Sequence, residues 1–413
     1  MPTLTLIIIL GFAVISILPL LKEKNRTKWG YINAIGTTTA ALLLIVFATF
    51  FQINLFLGIG ALVVVMFLVD RKTYTKAGAI SIGVLALIAG SVAYFILRED
   101  LDYVLDHLTT NPTSSYYFAV NGEELASRNS ETNFPLASTA KMTIAAVFAE
   151  EVTAGTIDPN EQIETSELEK FYLPNSDGGA HPAWLDDVGE PTVSLAEVVR
   201  GMISFSSNAN TDYMLERLGI DHINERIDSW GLTAHDDLIP FVSGILAIEE
   251  RADDLEELTF PEYKEQALAI HQEIVAGKKT ANEKELSLPI GDQRYWSDWL
   301  PASTTAEYSE WLYRVQTGEW ADAETTAYFL AILADPYPEL NGFEQTGGKG
   351  GSTAFVLTGA RFFETEDGDV IQWSMFADDL SMWQSFKLTR NYPRFLQRFI
   401  EDPEFQAEML EIL

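Results

Sequence analysis

The chain has no cysteine, which excludes disulfide bonds and thiol chemistry and leaves its redox compartment open. Histidine is scarce. His107, His181, His222, His235 and His271 are scattered without metal-ligand spacing, so each reads as a surface or satisfied core side chain, and neither a metal nor a cofactor is expected. Basic residues are also few, 27 Lys and Arg against 60 Asp and Glu, for a formal net charge of −33. The first hundred residues hold eight of the basic and four of the acidic side chains, so the imbalance lies in the remainder. Such a surface repels nucleic acid, which is not expected as a partner, and repels anionic headgroups in general.

Charge is missing altogether from four apolar stretches, Leu4–Leu21, Ile32–Phe51, Ile53–Val69 and Ala77–Leu97. Three have about the twenty residues that a bilayer crossing requires, and the third in order is shorter. The expectation is a transmembrane region of four helices over residues 1–98. The basic loops Lys22–Lys28 and Asp70–Lys76 then face the cytoplasm, which puts everything after Arg98 on the extracytoplasmic side of a multi-pass protein of the cell membrane. The first stretch makes a poor signal peptide, because its basic cluster follows the apolar run. With no ionisable residue inside the stretches, they read as an anchor and not as a transport or proton path.

Residues 99–113 are polar and read as a linker, leaving 114–413 as one outward-facing domain. Tyr116–Val120, the turn Asn121-Gly122 and Glu124–Ser127 predict a β-hairpin. Phe134-Pro135-Leu136-Ala137-Ser138 predicts a short extended segment that breaks into a helix ending near Gly155. Thr156–Lys170 and Pro174–Pro191 read as loops. A capping box at Ser194 starts a helix that runs into Ser204–Leu215. From Ile220 to Ala334 the pattern is mostly helical, with an acidic insertion over Asp253–Trp299. A second hairpin turns at Glu366–Asp369, and an amphipathic helix broken near Pro393 and Pro403 follows.

Ser138-x-x-Lys141 places a hydroxyl and an amine on one face of a helix start. A lysine among apolar residues can lose enough basicity to take the proton of a neighbouring serine, while the helix N-terminus offers N–H groups to an oxyanion. Alone, the spacing fits equally an N-capping serine and a solvated lysine. Ser206-x-Asn208 alone fits a turn between helices. Lys349-Gly350-Gly351, with Ser352 and Thr353, begins a strand at which glycines let a ligand approach the backbone.

These three elements, in this order, resemble the signatures of class A β-lactamases and penicillin-binding proteins, over roughly Tyr116 to Phe399. The resemblance implies an α+β fold of the β-lactamase/transpeptidase type, an antiparallel sheet covered by helices plus an all-α subdomain, with the site between them. It implies that Ser138 is acylated, that Lys141 takes its proton and that Ser206 relays a proton to the leaving nitrogen. Asn208 would hold the substrate amide, Lys349 the carboxylate, and the N–H groups of Ser138 and Ser352 the oxyanion, with Gly351 and Thr353 lining the substrate.

Three departures stand out. Ser207 replaces the usual aspartate, Gly350 removes a threonine hydroxyl that Ser352 or Thr353 could replace, and no glutamate with the family's loop pattern activates a deacylating water. Glu249 and Glu250 lie in that part of the chain, but read as a solvated helix face. The expected activity is a membrane-anchored serine hydrolase acting on β-lactams or D-alanyl-D-alanine peptides. The alternatives are a sensor or a binding module acylated without efficient turnover.

Overall fold

The computed structural model describes residues 98–283 and 285–413. The four apolar stretches expected to span a membrane lie outside the described residues. Among those described, no helix is long and apolar enough to cross a bilayer.

Asp100–Leu413 fold as one unit around an antiparallel sheet. Its strands are β1 (Ser114–Val120), β2 (Glu123–Arg128), β3 (Phe343–Ser352), β4 (Leu357–Thr365) and β5 (Val370–Ala377), ordered β2-β1-β5-β4-β3. Asn121 and Gly122 both have positive φ, 53° and 79°, as a type I′ turn between two twisted strands requires. The helices that frame the site are α1 (Leu101–Thr110), α2 (Lys141–Thr153), α3 (Leu195–Arg200), α4 (Asn208–Leu218), α5 (Phe241–Glu250), α6 (Thr305–Gln316) and α7 (Met382–Glu401).

Alternation along β5 assigns the two faces of the sheet. Trp373 and Met375 join the apolar cluster under α1 and α7, where Phe118 and Phe399 stack edge to face at 4.9 Å. Ser374 points the other way and bonds Ser309 of α6 at 2.8 Å, on the face that also packs α2 through Phe148, Trp311 and Phe376.

Several expectations are corrected. The stretch read as a linker is α1: Leu101, Val104, Leu105 and Leu108 have helical spacing, and Val104 and Leu108 are buried against the sheet. The loops read at 156–170 and 174–191 contain the helices Thr165–Glu169 and Ala180–Val188. The glycine-rich stretch is itself an edge strand, β3, and not the lead-in to the next. Packing demands three of its glycines, Gly347, Gly348 and Gly351; a Cβ at Gly347, for example, would lie 2.5 Å from the Phe362 ring. Pro393 does not break α7. Burial of Leu388, Phe395, Leu396 and Phe399, each worth about 1.5–3 kcal/mol, outweighs the ~3 kcal/mol cost of an internal proline. The chain does break at Pro403, where Asp402 caps the next helix.

The acidic insertion is not separate. Its helix Phe260–Val275 shares a core with α5 through Val242, Ile245, Tyr263 and Ile270, closed by Phe171 and Leu173.

Candidate active site

Phe134-Pro135 pairs with Ala302-Ser303, and the chain then enters a 3₁₀ turn, Ala137–Ala140, that continues directly into α2. Ala137 has φ 45°, a strained conformation for a residue with a side chain, held by Leu136 N–H donating to Pro301 O and Thr139 N–H donating to Leu136 O. Ser138 follows at the mouth of a cleft of about 800 Å³.

Lys141, one turn along, is fully buried. Its Nζ donates to the Ser206 carbonyl at 2.7 Å and to Asn208 Oδ1 at 2.8 Å, and lies 3.4 Å from Ser206 Oγ. Burial, and then the nearby charge of Lys349, hold this amine well below its ordinary pKa, against the opposing pull of Asp177 and Asp212. A neutral amine has two hydrogens and one lone pair. Both hydrogens are used by Ser206 and Asn208, so the lone pair is what remains for the Ser138 hydroxyl. Among the described contacts, no hydrogen bond yet joins the two side chains.

Ser206 comes to this place through a break in helical regularity. α3 widens into a π turn over Gly201–Phe205, which ends at Ser206 with φ 69°. Ser207 caps α4 and is buried with His181 Nδ1 at 3.0 Å and Asn210 Oδ1 at 2.8 Å. The buried triad of Ser207, His181 and Asn210 therefore pins the loop, and His181, expected to be a surface or satisfied core side chain, is a buried positioning residue.

β3 forms the opposite wall. A Cβ on Gly351 would stand 2.5 Å from the Ser138 nitrogen, so residue 351 must be glycine for the strand to touch the serine turn. Thr139 Oγ1 bonds Thr358 Oγ1 at 2.9 Å, and Thr358 donates to Leu136 O at 2.7 Å, locking that contact. Lys349 is buried, donates to Gly350 O at 2.7 Å, and is pushed down to about 8 by desolvation. Thr353 Oγ1 accepts from Ser297 Oγ and from the N–H groups of Phe355 and Val356. The Thr353 hydroxyl is committed to its turn, and Ser352 is the exposed hydroxyl at the cleft.

Two residues without a sequence signal shape the far wall. Asp212 on α4 is buried and accepts from the N–H groups of Phe241, Val242 and Ser243 at 2.6, 3.0 and 3.3 Å, fixing the start of α5. Burial pushes its carboxyl up to about 7, opposed by those three bonds and by Lys141. The α5 residue thus delivered to the cleft is Phe241, whose ring lies 5.4 Å from Lys141 Nζ. Glu249 and Glu250 sit at the other end of α5, bonded to Ser287 and Lys279, about 12 Å along the axis. Among the described residues, the only acid lining the cleft is Asp177, whose carboxylate caps the helix at Ala180 by accepting from Gly179, Ala180 and His181 N–H.

The cleft also takes in Arg361 of β4, paired with Gly348 of β3. Its Nε donates to Gly347 O at 2.9 Å, and its guanidinium lies 3.4 Å over the Tyr337 ring. No sequence motif marked it.

Ser138, one helical turn from a buried amine and walled by a glycine-rich edge strand, marks the candidate site. The model of the Beta-lactamase enzyme family matches residues 97–337, and the chain belongs to that family. Solved structures similar to this one include a β-lactamase from Sphaerobacter thermophilus, 17% identical, covering 72% of this chain and 95% of that one at a TM-score of 0.47. A β-lactamase from Chitinophaga pinensis is 14% identical, covering 73% and 99% at 0.48. A substitution mutant of PBP-A, as an acyl-enzyme complex with penicillin G, is 16% identical, covering 73% and 96% at 0.45. A comparison with curated proteins gives no match.

Proposed function

We propose that this chain is a membrane-anchored serine acyl hydrolase that forms a covalent intermediate on Ser138 with β-lactams or D-alanyl-D-alanine peptides. The observation that carries the reading is the orientation of Lys141, a buried amine of lowered basicity whose two hydrogens are taken by Ser206 and Asn208. Its lone pair accepts the Ser138 proton as Oγ bonds the carbonyl carbon. The carbonyl electrons move onto oxygen, which receives the N–H groups of Ser138 and Ser352. Collapse breaks the C–N bond, and Ser206 Oγ, 3.4 Å from Lys141 Nζ, passes the proton to the departing nitrogen. Asn208 holds the substrate amide, and Lys349 with Ser352 holds its carboxylate, with Gly351 and Thr353 shaping the wall. The domain stands on the extracytoplasmic side of the cell membrane.

Phe241 favours a second reading, in which acylation far outruns hydrolysis and the protein acts as a sensor or binding module. Incubation with penicillin followed by mass spectrometry should give one adduct on Ser138. A chromogenic cephalosporin should then show either a burst followed by slow turnover or steady hydrolysis. Equal product release by wild type, Ser138→Ala and Lys141→Ala would remove the assigned site.

A further inference from the structure

The acidic insertion is fastened to both walls of the cleft. On the helical side the N–H groups of Ala281 and Leu286 donate to Lys170 O at 2.8 Å and Pro174 O at 3.0 Å, just before the lining residues Asn175 and Asp177. On the sheet side its helix Gln293–Asp298 meets the turn between β3 and β4. There Ser297 Oγ donates to Thr353 Oγ1 at 2.9 Å, while the Arg294 guanidinium lies 5.2 Å from the Phe355 ring and pairs with Asp379 at 2.7 Å. The insertion is thus a bridge from one wall to the other.

Its inner surface belongs to the site. Leu286, Gln293 and Trp296 line the same cleft as Ser138. Trp296 is held from behind, packed against the apolar clusters of α2 and of α5, where a Cβ at Gly244 would stand 3.5 Å from its ring. Its Nε1 is buried without a hydrogen-bond partner among the described residues, so the indole gives the cleft bulk and no bond.

The direction of β3 says what meets that bulk. In the reaction proposed above, Lys349 takes the carboxylate and the Ser352 N–H the oxyanion, so the remainder of the acyl group continues towards Thr353. That is one residue further, about 3.4 Å along the strand, and it is where the bridge is tied.

We propose that the bridge closes the acyl end of the cleft and that Trp296 and Gln293 select acyl donors by size, admitting a slender acyl side chain and rejecting a bulky one. The inference rests on the acylation reading and assigns its specificity. A group that fits only by displacing packed side chains pays in strain, and one misfitting carbon is worth about 10- to 200-fold in discrimination.

The test compares acylation of the full chain by penicillin G, whose phenyl ring is set off by a methylene, with methicillin, whose dimethoxyphenyl ring sits directly on the side-chain carbonyl. Rates of adduct formation are read by intact mass, and the quantity of interest is their ratio. The ratio should favour penicillin G in wild type and fall at least about tenfold in Trp296→Ala, which opens the wall. Trp296→Phe, which keeps most of the bulk, should stay near wild type. Gln293→Trp, at a partly exposed position, should raise the ratio, and it decides the matter even where Trp296→Ala fails to fold. Both penicillins slowed equally in Trp296→Ala, or a ratio unmoved by Gln293→Trp, overturns size selection while Ser138 acylation stands. No adduct on Ser138 in wild type with either penicillin or with a fluorophosphonate removes the acylation reading and this inference with it.

Discussion

The Phe241 ring lies 5.4 Å from Lys141 Nζ, so the buried amine faces an aromatic wall, held there by Asp212 through the first N–H groups of α5. An acyl group on Ser138 is therefore shielded from any side-chain base on that wall. Phe241→Glu puts a carboxylate there, and general-base catalysis is worth about 10²–10⁴-fold. We expect the penicillin acyl-enzyme of this variant to hydrolyse at least tenfold faster than wild type, followed by intact mass over time. An unchanged lifetime would mean that Phe241 does not limit deacylation.

In the reaction proposed above, the two lysines set opposite limbs of a pH profile. Lys141 works as the neutral amine, so acylation rises as pH climbs through its lowered pKa. Lys349 works as the cation, so carboxylate capture falls as pH passes about 8. The expected kcat/KM, or acylation rate with penicillin, is a bell whose alkaline limb is a rise in KM near pH 8. A Lys349→Arg variant should move that limb upward. A flat profile around pH 8 contradicts the assignment of Lys349.

Gly351→Ala tests the contact between strand and serine turn. The added Cβ meets the Ser138 and Thr139 nitrogens and Leu136 O at 2.5–2.8 Å, all backbone atoms that cannot swing away. Overpacking of this kind costs about 1–3 kcal/mol, and the displaced Ser138 N–H should lower acylation at least tenfold. Thermal melting and penicillin labelling measure the two effects separately.

Asp212 couples the site to stability. Its carboxyl is raised to about 7, so the folded state holds a proton that the unfolded chain has released between about pH 4 and pH 7. Stability from this group is present below that window and is lost as pH rises through it. Asp212→Asn keeps one acceptor for the Phe241 N–H and removes the ionisation. Urea melts should show a weaker fall in stability across the window, with an overall loss of about 1–3 kcal/mol from the donors left unpaired. An unchanged slope would remove Asp212 as the titrating group.

What could be read from the sequence follows the range of the interactions. Ser138 and Lys141 share a helix turn, and Ser206 and Asn208 share a cap, so local spacing set their geometry, and the hairpin at Asn121-Gly122 is likewise a local consequence of turn chemistry. Phe241 carries no chemical mark. It matters because Asp212, 29 residues earlier, holds its helix. His181 looked like any isolated histidine until the fold set it against Ser207. Arg361 is brought to the cleft by pairing across β3 from Gly348, a long-range relation that no motif announces. The helix α1 was legible from its spacing, but polar neighbours masked it, and Pro393 was read as a breaker because the apolar stripe that outweighs it acts only once α7 meets the sheet.

The order of strands carries a consequence for biosynthesis. β1 takes β5 as its neighbour, so Val120 waits for Ile371, about 250 residues later in the chain, and pairing across such a separation is slow to nucleate. As the polypeptide leaves the ribosome, the early hairpin must stay unpaired on that side until nearly all of the domain has been made. Whatever shields that ribbon in the interval governs how much protein escapes aggregation.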